Sequence, residues 1–209
     1  MNKTLHIVAQ TLSVLFYPLF VPTYGMALFC WAHSMQVEPL SGVWMAIAIV
    51  GTFLLTCVLP ITAIWIMMKR GQVKDLYIDN PAERTMPYLY SVMGFVFWCY
   101  LLVKVLHAPS YLSGVAIGAT LALGLVTLIN RWWKISAHLA GFGGLIGGIF
   151  SYCLGVGAIP TWYALCLWFG LSWLLMWARM YLDAHTGAQV CAGWLLGLAC
   201  TLIPLWIIG

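Results

Sequence analysis

Seven times along its 209 residues the chain stays apolar for about the ~20 residues that a helix rising ~1.5 Å per residue needs to cross a ~30 Å hydrocarbon layer. These stretches run roughly from Thr11 to Ala32, Val43 to Met68, Pro87 to Leu106, Tyr111 to Ile129, His138 to Val156, Thr161 to Ala178 and Gln189 to Ile208. Only short connections separate them, with no linker and no low-complexity tract. The expected fold is therefore all-α, a polytopic transmembrane helical bundle forming one integral membrane domain over residues 1–209. Pro18 lies inside the first stretch and Pro22 follows closely, so six or seven spans are expected, the six-span form having a re-entrant or interfacial first segment.

A water-soluble alternative fails on composition. With 64% apolar and 7% charged residues, too little polar surface exists to cover a globular core. The same composition excludes disorder and a collagen repeat, and nucleic-acid binding is excluded as well, because the net charge of +4 has no basic tract behind it. The seven cysteines sit in apolar stretches without a Cys-x-x-Cys pair and read as small hydrophobes. Met1 to Val21 resembles a secretory leader, but its prolines and the absence of a small-x-small cleavage pattern favour a retained segment.

Small residues suggest which helices touch. Gly141, Gly144 and Gly148, with Gly143 and Gly147, leave room on the fifth stretch for another helix to come close, which makes that span central. Gly193 and Gly197 repeat the spacing in the last stretch, so a contact between these two is expected.

The placement of charge carries the functional information. Of nine Lys and Arg and five Asp and Glu, seven fall between Lys69 and Arg84, two at Arg131 and Lys134, and two at Arg179 and Asp183. Two spans separate each of these connections from the next, so all three open on one side of the membrane. The positive-inside rule accounts for Lys69, Arg70 and Arg131. It does not account for His138 and His185, which both begin spans on that same side, nor for Arg179 just before the second of them. Ionisable groups at such positions mark functional sites.

Ser136 and His138 stand where the fifth span begins. A serine there caps the helix, and the free N–H groups of the first turn attract an anion. His185 and Thr186 repeat the arrangement at the last span, so two helix N-termini are expected to face one anion. Arg179 and His185, six positions apart, meet only if the chain turns between them, whereas His185 and Gln189 share a helical face, so the amide can orient the imidazole. Arg grips phosphate oxygens in bidentate fashion. One neutral His can attack phosphorus while a second protonates the leaving oxygen, a scheme that requires no metal or cofactor.

These residues resemble the type 2 phosphatidic acid phosphatase superfamily of membrane lipid phosphatases. Arg179-Met180-Tyr181-Leu182-Asp183-Ala184-His185 keeps that family's Arg-x5-His, Ser136-Ala137-His138 resembles its Pro-Ser-Gly-His, and Lys74 with Arg84 stands in the place of its Lys and Arg motif. The resemblance covers the chain from about Lys69 onward. It implies that His185 is the nucleophile, that His138 is the acid for the leaving alcohol, and that Arg179, Arg84, Lys74 and Ser136 cradle the phosphate. Lys134, in the connection just before Ser136, joins that basic set. Gln189 stands where the family has an orienting Asp, so the carboxylate would have to come from elsewhere, such as Asp183. The implied activity is metal-independent hydrolysis of a lipid phosphate monoester or diphosphate through a phosphohistidine. The implied setting is a bacterial inner membrane, with membrane lipids as neighbours and the face bearing the site left open. A non-catalytic lipid-phosphate binder or transporter and, more remotely, a metal-dependent hydrolase using His138, His185 and Asp183 are the competing expectations.

Overall fold

In hydrocarbon a backbone has no water to bond, so a segment that stays there must satisfy every N–H and C=O internally. The chain does this with helices, and among the described residues there is no strand. The structure, a computed structural model, describes residues 2–73, 81–157 and 162–208, without the side chains of 81–84, 162–164 and 203–208. Its helices are α1 (Lys3–Leu15), α2 (Val21–Gln36), α3 (Gly42–Phe53), α4 (Leu59–Lys69), α5 (Pro81–Tyr100), α6 (Ser110–Ile129), α7 (Ala137–Val156), α8 (Trp162–Tyr181) and α9 (Gly187–Ile208). Among the described residues four helical stretches are long and apolar enough to cross a membrane: Gly42–Lys69, Thr85–Val105, Ser110–Ile129 and Ala137–Val156, with Gly187–Leu202 a shorter apolar helix.

The outer faces carry many large apolar side chains. Met93, Val96, Phe97 and Tyr100 on α5, Leu121, Leu125 and Leu128 on α6, and Leu167 and Leu174 on α8 are all exposed, at spacings that put each group on one side of its helix. Such contiguous stripes are tolerable against lipid and not against water. The protein is an integral membrane protein.

Inside, α7 is the central helix. Within its spanning window 61% of residues are buried, against 33% in each of the other three. The glycine spacing explains why. A Cβ on Gly143 would collide with the Trp194 carbonyl, one on Gly197 with the Ala140 carbonyl, and one on Gly193 with the Ser136 carbonyl. α7 and α9 therefore pack backbone to backbone, as their small residues lead one to expect. Gly118 gives α6 the same close approach to α9 at Cys200, and Gly148 admits Phe29 of α2.

Two helices carry a π-helical turn. Leu54–Val58 joins α3 to α4 without a bend into a loop, just before Pro60, whose missing N–H and ring the wider turn accommodates. Leu101–Val105 ends the α5 rod in the same form.

The first apolar stretch differs from the continuous span that its length suggests. It is two helices, broken between Leu15 and Val21. Pro18 and Pro22 cannot donate, so the carbonyls closing α1 need other partners. They find them: Leu12 and Val14 accept from the amides of Phe16 and Tyr17, at 3.0 and 3.2 Å, Leu15 accepts from the Tyr24 hydroxyl at 3.1 Å, and Ser13 accepts from Nε2 of His138 at 3.1 Å. The break is thus stitched to the start of α7, and α1 lies against α8, with the Tyr181 hydroxyl on the Asn2 carbonyl.

Candidate functional site

The end of α8 explains how Arg179 and His185 come together. Asp183 takes a left-handed conformation, φ 50°, so the chain reverses there. Its amide donates to the Met180 carbonyl at 3.0 Å and the Ala184 amide to the Arg179 carbonyl at 3.1 Å, a Schellman closure of the helix. The His185 amide bonds the same Arg179 carbonyl at 3.3 Å. Six positions of sequence are folded into one tight turn, and the expected reversal is present.

His185 is then held from the other side. Its Nδ1 donates to the main-chain carbonyl of Lys134 at 3.1 Å. A carbonyl only accepts, so in the neutral ring the proton sits on Nδ1 and the lone pair on Nε2. Burial, and next the charge of Arg179, push the imidazole down from its ordinary 6.5 to about 4; the Lys134 ammonium adds to this, while the bonds to the Lys134 carbonyl and the Gln189 side chain oppose it. At neutral pH the ring is uncharged.

His138 enters from the first turn of α7. Its Nε2–H is bonded to Ser13, its ring meets Tyr17 edge to face with centroids 5.7 Å apart, and it lies close enough to Arg179 and His185 to interact electrostatically with both. The three groups border one polar cavity of about 140 Å³, together with Lys134, Tyr17 and Tyr88. Among the described residues that line it there is no Asp or Glu. The cavity thus has two cations, two imidazoles and the first residues of a helix at its wall, and positive charge and helix N-termini are features that attract anions.

Other expected site residues fall elsewhere. Ser136 is fully buried, makes no side-chain cap bond, and keeps its Oγ away from the cavity; it packs where α9 crosses α7, its amide on the Gln189 carbonyl at 3.3 Å. The backbone contact with Gly193 pins it there. Asp183 is exposed in the reversing turn, serving the backbone, and does not border the cavity. The second helix N-terminus is also used locally: the Thr186 amide donates to Oε1 of Gln189 at 3.1 Å and the Gln189 amide to Oγ1 of Thr186 at 3.4 Å, a reciprocal capping box. Of these two helices, α7 alone brings its first residues to the described cavity lining. Lys74 and the side chain of Arg84 lie outside the described residues. Among the described residues no three His, Cys, Asp or Glu side chains stand together as a metal-binding group.

Sequence reasoning missed Tyr17, Tyr88 and the Ser13 carbonyl. A signal existed for the first, because Tyr17 directly precedes the proline that breaks the segment; Tyr88 reads in the sequence as an interfacial belt aromatic or as the lining of an acyl-chain groove. Compared with protein-family models, curated proteins and solved structures, the chain matches none.

Proposed function

We propose that this protein is a membrane phosphatase that removes phosphate from a lipid phosphate monoester or diphosphate through a phosphohistidine, as a divergent relative of the type 2 phosphatidic acid phosphatases. One arrangement carries the reading: His138 from the start of α7, Arg179 from the last turn of α8 and His185 from the turn that follows it border a single cavity that Lys134 also lines and that has no carboxylate in its described lining. Nothing else in the described chain gathers nucleophile, acid and cation in one place.

In this scheme Arg179 and Lys134 hold the phosphate oxygens and neutralise the charge that spreads over them. Nε2 of His185 attacks phosphorus; a P–N bond forms as the P–O bond to the leaving group breaks, and that oxygen takes the proton which the bound phosphate monoanion has first passed to His138. Because Nε2 of His138 is committed to Ser13, Nδ1 is the atom that exchanges it. Water, its proton taken by His138, then cleaves the P–N bond and releases inorganic phosphate. The family's orienting carboxylate is replaced in this reading by the Lys134 carbonyl, which already fixes the His185 tautomer.

The reading also takes α1 and α2 as one broken crossing, giving seven spans with the three charged connections on the same face. The resemblance favours a bacterial inner membrane. The competing reading, a lipid-phosphate binder without turnover, draws on one observation, that His138 caps the end of α1. Phosphate release from a panel of lipid phosphates in detergent separates them. Turnover by the wild type and none by His185→Gln supports the phosphatase; binding without release by the wild type supports the binder.

A further inference from the structure

A second cavity, of about 130 Å³, lies inside the bundle among α2, the α3–α4 rod, α5, α6, α7 and α9. Pro18, Leu123 and Ala137 border both this cavity and the polar one, so the two share a wall beside His138. The space is large against the ~10–15 Å³ that one water requires. Its chemistry, however, offers water little. Four threonines reach its walls, and each hydroxyl already donates to a carbonyl of its own helix: Thr52 to Ala48 at 2.6 Å, Thr56 to Thr52 at 2.8 Å, Thr120 to Ala116 at 2.8 Å and Thr201 to Gly197 at 3.0 Å. Most of the remaining lining is aliphatic or aromatic, with Met26, Phe29, Phe95 and Leu145 among it. Hydrocarbon suits such a space and water does not.

We propose that this cavity holds the hydrocarbon chain of the phosphorylated amphiphile whose head group occupies the polar cavity. The inference rests on reading the polar cavity as a lipid-phosphate site, and it adds that one chain is taken into the protein instead of staying in the bilayer. The shared wall selects this occupant: a chain attached to a phosphate at His138 and Arg179 starts beside Pro18, Leu123 and Ala137, the residues that also border the apolar space. Chain length and shape thereby become determinants of specificity, read by α2 and α6.

The test uses the full chain in detergent with a long-chain alkyl phosphate carrying a photoactivatable diazirine at mid-chain. Peptide mapping is expected to find the label on cavity-wall segments of α2 and α6, displaced by unlabelled long-chain alkyl phosphate. Ala119→Phe, which fills the cavity, is expected to cut that labelling at least tenfold and raise KM for the long-chain substrate about tenfold, while leaving turnover of butyl phosphate unchanged. Label confined to lipid-facing positions such as Met93 and Phe97, or unaltered by Ala119→Phe, would overturn the inference. Cavity labelling without phosphate release supports the chain site and removes the phosphatase reading; release without cavity labelling does the reverse.

Discussion

Nδ1 of His185 donates to the main-chain carbonyl of Lys134, 3.1 Å away across 51 positions of sequence. That single bond joins the connection before α9 to the connection before α7, and it gives the imidazole its tautomer without a carboxylate. A His held by a carbonyl keeps a neutral, nucleophilic Nε2, but it lacks the charge that would stabilise an imidazolium.

The pH dependence follows with a definite sign. The folded-state value of about 4 lies below the unfolded 6.5, so the unfolded chain binds the proton first as pH falls. The contribution of His185 to stability is complete above pH 6.5 and is lost progressively as pH drops towards 4. Thermal unfolding in detergent should show the wild type losing melting temperature across that window and His185→Gln losing less; equal losses would contradict the burial of a neutral ring.

Asp183 serves the turn and not the reaction. Asp183→Asn and Asp183→Gly, both at ease at φ 50°, should keep phosphate release within about threefold of the wild type. Asp183→Val should lower stability by ~1–3 kcal/mol through backbone strain. A collapse of kcat in Asp183→Asn at unchanged stability would instead make the carboxylate a participant.

Ser136→Ala discriminates between the cradle that the family resemblance implies and the buried position observed. The hydroxyl makes no hydrogen bond and does not border the cavity, so its removal should leave KM unchanged. A hydrogen bond to a charged phosphate is worth ~1.5–3 kcal/mol, so a serine in the cradle would raise KM tenfold or more on removal. The measured KM for any cleaved alkyl phosphate decides.

The close approach of α7 and α9 sets the frame on which the site is mounted. Gly143→Ala or Gly197→Ala drives a methyl into a facing carbonyl and should cost ~1–3 kcal/mol or more, whereas Gly124→Ala meets nothing within 4 Å and should be neutral or slightly stabilising. Unfolding of the three variants side by side in one detergent provides the comparison.

Much of this was legible in the residues, and the reasons are physical. Hydrophobic length located α3 through α9 closely because a helix in lipid has few other options. The spacing of Gly143, Gly193 and Gly197 exposed the α7–α9 contact because only missing side chains let backbones approach so far. The convergence of His138, Arg179, His185 and Lys134 could be anticipated by counting crossings, since an even number returns the chain to the same side. What escaped was local backbone chemistry. Thr186-Gly187-Ala188-Gln189 carries a capping-box pattern, yet Gln189 was read first as a partner of His185, when its oxygen also accepts from the Thr186 amide. Ser136 precedes a helix as a cap does, but the crossing of α9 at Gly193 buries it. The broken first segment hid Tyr17 and the Ser13 carbonyl from view, because an interrupted helix spends its unpaired carbonyls on whatever lies beside it, here His138.

The most direct test is chemical trapping of the phosphoryl group. The protein in detergent is mixed with a phosphorus-labelled long-chain alkyl phosphate, quenched in alkali within a turnover, digested and mapped. The expected result is an acid-labile, alkali-stable phosphoryl group on His185 that is absent from His185→Gln, together with loss of turnover in that variant. Full turnover by His185→Gln, or a wild-type enzyme that turns over while its label lies on any residue other than His185, would contradict it.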